Sequence, residues 1–162
     1  MRILHTSDWH LGRQFHNVSL LDDQRHALQQ IIDIVRERQV DVVLVAGDIY
    51  DRSVPPATAV ELLDETVHRI CHGLRVPLIL LAGNHDGPQR LAFGARQLAG
   101  AGLHVAGPLW SVPQPVVISG DIGEVAFYPI PYADPATVRN VHGVEVAGHD
   151  EAMSYLLERI RQ

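Results

Sequence analysis

Two unbroken apolar runs, "DVVLVA" (41–46) and "VPLILLA" (76–82), restrict the fold of this chain more than any other feature. A strand of this kind must be covered on both faces, which is the situation of a parallel sheet flanked by other layers. "RILHTS" opens the chain as a shorter strand of the same sort. Residues 22–39 separate the first two strands and carry Leu28, Ile31, Ile32 and Val35 at helical spacing. After Pro55–Pro56 a second stripe follows, Leu63, Val67, Ile70, Cys71 and Leu74, and a third helix is expected over 89–99. Strand and helix alternate three times, which predicts βαβ units and an α/β fold. Beyond Gly100 the text turns rich in Gly and Pro. "LHVA", "PVVIS" and "EVAFYPI" then read as a second, more antiparallel group of strands, "YADPA" as a turn, and Met153, Leu156, Leu157 and Ile160 as a last amphipathic helix.

The first three strands end alike. "LHTSDWH" places Asp8 and His10 after the first, "LVAGDIYD" Asp48 and Asp51 after the second, and "LLAGNHD" Asn84, His85 and Asp86 after the third. Parallel strands bring their carboxyl ends to one edge, where ligands of open α/β sheets bind. One Asp or Asn after a strand is ordinarily a turn or N-cap residue. Three such clusters at successive strand ends ask for another explanation. Carboxylates, imidazole and an amide without thiol suit manganese, magnesium, iron or zinc. Divalent ions would also remove the repulsion between gathered carboxylates. Asp86 is open to two readings, orienting the His85 ring or capping the next helix.

The ordered set DxH…GDxxD…GNHD resembles the opening motifs of the calcineurin-like metallophosphoesterases. "MRILHTSDWHLG", "VAGDIYDRSVPP", "LAGNHD" and "PIPY" are similar, more narrowly, to the SbcD family of bacterial nuclease subunits. The resemblance implies a four-layer α-β-β-α sandwich and two divalent ions, manganese in preference to magnesium. Asp8 and His10 would hold the first ion, Asp48 would bridge both, Asn84 would bind the second, and His85 would be the catalytic acid near the phosphate. It also implies in-line hydrolysis of DNA phosphodiesters, as 3′→5′ exonuclease and endonuclease at double-strand ends and hairpins. A coiled-coil ATPase of the SbcC type and a second copy of the subunit would be its partners. Arg13, Arg52 and Arg90 each follow one cluster within five residues. They are expected either to rim the site against DNA phosphates or to pair locally with Asp51, Asp86 or Asp22.

Composition bounds these readings. The net charge of −6 argues against a nucleic-acid binder that works by bulk charge alone. A phosphoprotein or small-molecule phosphatase and a non-catalytic interaction module therefore stay as alternatives. One cysteine, Cys71, excludes an internal disulfide and fits a reducing cytoplasm, and no apolar run is long enough for a membrane span. The family also uses a later His and a Gly-His-x-His motif. Gly148–His149 in "VAGHDEA" lacks the second His and opens a helix. The expectation is that residues 1–162 form the N-terminal portion of a nuclease domain. They would lack the later ligands and capping domain, and so bind metal weakly and show little activity alone.

Overall fold

The computed structural model describes residues 1–120 and 123–162. The chain opens with β1 (Ile3–Thr6), a tight hairpin of β2 (Gln14–Phe15) and β3 (Val18–Ser19), then α1 (Leu21–Glu37) and β4 (Val42–Ala46). Next come α2 (Ala57–Val67), prolonged by a π-helical turn at His68–Gly73, then β5 (Leu78–Leu81) and the short helices α3 (Pro88–Leu91) and α4 (Ala95–Leu98). A 3-10 turn at Ala99–Ala101 leads to β6 (Leu103–Ala106). The hairpin of β7 (Val116–Gly120) and β8 (Gly123–Phe127) precedes α5 (Pro135–His142) and α6 (His149–Arg161).

The main sheet has the order β1-β4-β5-β6 and every pairing in it is parallel. Alternation along its strands divides the core. Val43, Val45, Leu78 and Leu80 cluster with Leu28, Ile32 and Val35 of α1 and Leu62 and Leu63 of α2. Val42 and Ile79 cluster instead with Ile118 of β7, flanked by Phe127 of β8. Helices therefore cover one face and the β7–β8 hairpin the other, which is why β4 and β5 are apolar at every position. Burying each such aliphatic side chain stabilises the fold by roughly 1.5–3 kcal/mol. A third cluster joins Val138 of α5 to Ala152 and Leu156 of α6, with Leu109, Ala133 and Val146.

The structure corrects several expectations. "LHVA" is not part of the antiparallel group but the fourth parallel strand, paired with β5 from Leu78↔Leu103 to Leu81↔Ala106. The helix expected over 89–99 is broken into α3 and α4, because Gly94 adopts φ +74° and ends the helical backbone there. "YADPA" does more than turn the chain, since Asp134 caps α5 by accepting from Thr137 N at 3.1 Å, with Pro135 at the first helical position. The β2–β3 hairpin has no counterpart among the expected elements. Its turn is made by His16 and Asn17, both at positive φ, where Gly is the usual signal. Cys71 is half-buried, its thiol pKa pushed up to about 11 by burial, and this fits the inert packing expected of it.

The sheet ladder runs past the strands into the polar loops. Asp8 N donates to Gly47 O at 3.1 Å, His10 N to Asp48 O and Leu11 N to Ile49 O, each at 2.9 Å. Asp86 then fastens the second loop to the third. Its carboxylate is 5% exposed and accepts from Ile49 N (3.0 Å), Tyr50 N (2.9 Å) and Gly83 N (2.9 Å). Neither reading of Asp86 made from sequence holds: Gly87 precedes α3 as its cap residue, and the His85 ring is held elsewhere. Asp86→Ala would leave three backbone donors without their acceptor. It is expected to lower the unfolding free energy by about 3 kcal/mol or more, read as a fall in denaturation midpoint at unchanged m-value. Asp86→Asn, which keeps one carbonyl oxygen, is expected to recover part of the loss.

Candidate metal centre

The three polar strand ends meet. His10 lies at the centre, with Nε2 3.8 Å from Asp8 Oδ1 and 3.8 Å from Asp48 Oδ2, and Nδ1 3.6 Å from Asp51 Oδ1. Two overlapping groups of potential ligands result, Asp8–His10–Asp48 and His10–Asp51–His85. The His85 ring stands edge-on to His10, with centroids 4.8 Å apart. Asn84 sits between Gly83 and His85, both of which abut Asp48. His85 N donates to Asp48 Oδ1 at 3.0 Å, and a Cβ on Gly83 would overlap the Asp48 carboxylate. Glycine is therefore required at position 83 for the third strand end to approach the second.

The backbone here is shaped at a cost. Asp8 (φ 56°), His10 (φ 45°) and Asp48 (φ 50°) all lie in the left-handed region, which is sparsely populated by residues other than glycine. Such conformations cost of order 1–3 kcal/mol each and persist where the surroundings over-determine them. The inter-loop ladder supplies that restraint, and so does Gln24 of α1. Its Nε2 donates to the carbonyls of Trp9 (3.1 Å) and His10 (2.6 Å), while its Oε1 accepts from Gly12 N (3.1 Å). Sequence reasoning missed Gln24, because a glutamine in the first turns of a helix carries no signature of such a role.

The residues present fit divalent ions. Each of the three His10–carboxylate separations is too long for a direct hydrogen bond. Each is also below about 4.2 Å, twice a typical metal–oxygen or metal–nitrogen bond, and so open to ligands sharing one ion. Nδ1 of His10 is buried and lacks a hydrogen-bond partner among the described residues. Asp48 is only 9% exposed. A buried carboxylate facing a second carboxylate across an imidazole needs positive charge nearby.

His85 is oriented by a group the sequence did not identify. Its Nδ1 donates to the Asp51 carbonyl at 3.0 Å, leaving Nε2 free to act on a ligand. That bond raises the His85 pKa against the desolvation penalty, and the Asp48, Asp51 and Asp86 carboxylates act in the same direction as the bond. Asp51 thus contributes through both its backbone and its side chain; the only sequence hint was its place three residues after Asp48. Of the arginines, Arg90 donates to Ser53 O at 2.9 Å. Among the described residues none of Arg13, Arg52 and Arg90 forms an ion pair, so the local pairing with Asp51, Asp86 or Asp22 does not occur.

No helix among the described residues is long and apolar enough to cross a membrane. The sequence model of the calcineurin-like phosphoesterases matches residues 1–155. The SbcD subunit of the Staphylococcus epidermidis nuclease SbcCD is 34% identical over 161 residues, an alignment that takes in 99% of this chain. This chain spans 42% of that protein's length. Motif order, converging strand ends and a match over nearly the whole chain agree: the chain belongs to the calcineurin-like phosphoesterase family, hydrolases of phosphoester bonds that depend on divalent metal.

Proposed function

We propose that residues 1–162 are the N-terminal portion of the nuclease domain of an SbcD-type subunit. It would hydrolyse DNA phosphodiesters as a 3′→5′ exonuclease and as an endonuclease that opens hairpins, in the processing of double-strand ends for repair, recombination and replication. The observation that carries this reading is the meeting of Asp8, His10, Asp48 and His85 at one edge of the sheet. The similarity to a named nuclease subunit supports a nucleic-acid phosphodiester over other phosphoesters.

In this reading Asp8 and His10 hold one ion, Asp48 is shared, and Asn84 serves the second. The oxygen and nitrogen donor set admits manganese, magnesium, iron or zinc, and the family resemblance favours manganese. When bound, the ions stabilise charge developing on the phosphate and lower the pKa of a coordinated water. The remaining work falls to side chains. His85, fixed through Nδ1, presents Nε2 to donate a proton to the departing oxygen. Arg13 and Arg52 are free of carboxylate partners among the described residues and rim the site against flanking phosphates. Arg90, tied to Ser53, holds the third loop to the second. The later ligands, the capping domain, a coiled-coil ATPase of the SbcC type and cytoplasmic location belong to the same proposal. So does a homodimer, supported by the exposed apolar side chains Phe93 and Leu98 on the α3–α4 segment.

Three measurements test it. Manganese is expected to raise the melting temperature of the chain, by about 2.7 kcal/mol of added stability at a hundredfold excess over its Kd, and Asp48→Asn is expected to abolish the rise. No response in the wild type would remove the metal centre. His85→Gln should keep the manganese response while slowing DNA hydrolysis in the longer subunit by about 10²–10⁴-fold. A variant cleaving at the normal rate would reassign the acid. Arg13→Ala or Arg52→Ala should weaken DNA binding and reduce the slope of log affinity against log salt by about one, and an unchanged slope would take that residue off the rim.

A further inference from the structure

The fourth parallel strand, β6, ends on the same edge as β1, β4 and β5, so the loop that leaves it forms a wall beside the polar cluster. That loop is fixed. A Cβ on Gly107 would overlap the Pro88 carbonyl and the Ala92 methyl, and Leu109 is buried against Val138 and Leu156. Directly after this anchor Trp110 stands 72% exposed, its N bonded to Pro108 O at 3.1 Å. Tyr132 is 48% exposed, its backbone N bonded to Ala82 O at 2.8 Å. Its hydroxyl is 3.2 Å from His149 Nε2. Trp110, Tyr132 and Asn84 all line one hollow of about 370 Å³.

We propose that this hollow is a stacking site for the base of an unpaired terminal nucleotide of DNA, with Trp110 as its principal contact. The proposal rests on the nuclease reading above and names the part of the substrate that this side of the site selects. The volume lies in the lower part of the range of about 300–1,000 Å³ found for small-molecule sites. No arginine lines the hollow, so a phosphate has no counter-charge there. Its two carboxylates are already engaged: Asp86 holds three backbone N–H groups and Asp134 caps α5. What remains is two aromatic side chains together with the amide of Gln89, which suit an uncharged heterocycle. Base–aromatic stacking tolerates any base, so the site would read the absence of pairing rather than sequence.

Trp9 is buried and Trp110 exposed, so a change in indole emission on adding DNA reports mainly on Trp110. In EDTA, a short single-stranded oligothymidylate is expected to quench the emission of the wild-type chain. By anisotropy of the labelled oligomer, Trp110→Ala should bind it about tenfold more weakly and Trp110→Phe close to normally, with blunt duplex binding alike in all three. Equal affinity of wild type and Trp110→Ala for the oligomer would overturn the proposal, as would an equal loss on blunt duplex. Self-association seen by sedimentation of the wild type and lost in Trp110→Ala would assign the hollow to a second copy of the chain and also overturn it. Because the measurement excludes metal, its failure is separate from that of the nuclease reading. Lost quenching with an intact manganese response removes only the stacking site, and the reverse pattern removes only the metal centre.

Discussion

Every functional feature of this chain depends on three loops being held in register by backbone hydrogen bonds that outlast the strands. The β1 and β4 loops bond to each other directly, from Asp8–Gly47 through Leu11–Ile49. The β4 and β5 loops are joined by the buried carboxylate of Asp86, with further bonds from His85 to Asp48 and Asp51 and from Arg90 to Ser53. A charged acceptor forms stronger bonds than a neutral one, and three donors converging on it also meet its own need for solvation. Asp86 is thus a structural anion, its oxygens taken up by backbone donors, beside carboxylates that face His10. Two residues in the same short motif, Asn84 and Asp86, differ in role because one is exposed and the other sealed behind Gly83.

The electrostatics follow from that frame. Asp8, Asp48 and Asp51 surround a single imidazole at separations that none of them closes by a hydrogen bond. Left alone, the arrangement concentrates negative charge where the backbone is already strained at Asp8, His10 and Asp48. A protein retains such a combination when something bound outside the chain offsets it, and the donor types point to hard divalent cations. His85 is distinguished from His10 by exposure and by its bond to a neutral carbonyl, which leaves one ring nitrogen available. The two imidazoles thus differ in exposure and in which ring nitrogen is engaged, though both belong to candidate ligand groups.

Much of this was legible in the sequence, for identifiable reasons. β4 and β5 are apolar throughout because helices lie on one face and the β7–β8 hairpin on the other, so the parallel sheet was readable from them. The convergence of Asp8, His10, Asp48 and His85 followed from that topology. Less legible were contacts that depend on exact loop placement: Gln24 gripping the first loop, Asp86 taking backbone donors, and the Asp51 carbonyl orienting His85. None has a periodic or compositional mark. "LHVA" was misplaced because four residues without continuous apolar character do not reveal which sheet they join. The helix over 89–99 was overextended because a single Gly94 in the left-handed region outweighed the propensity of its neighbours.

The order of elements along the chain has a consequence for biogenesis. The candidate ligands lie at positions 8, 10, 48 and 84, and only the first two are close in sequence. In an unfolded chain the four candidate ligands cannot act together, so their joint use of an ion must await alignment of β1, β4 and β5. Parallel pairings of this separation are slow to form, since loop closure precedes any reward from contact. An ion held by these residues would therefore arrive late, locking a finished scaffold instead of nucleating it. During synthesis, the centre cannot assemble until the segment through residue 84 has emerged and docked.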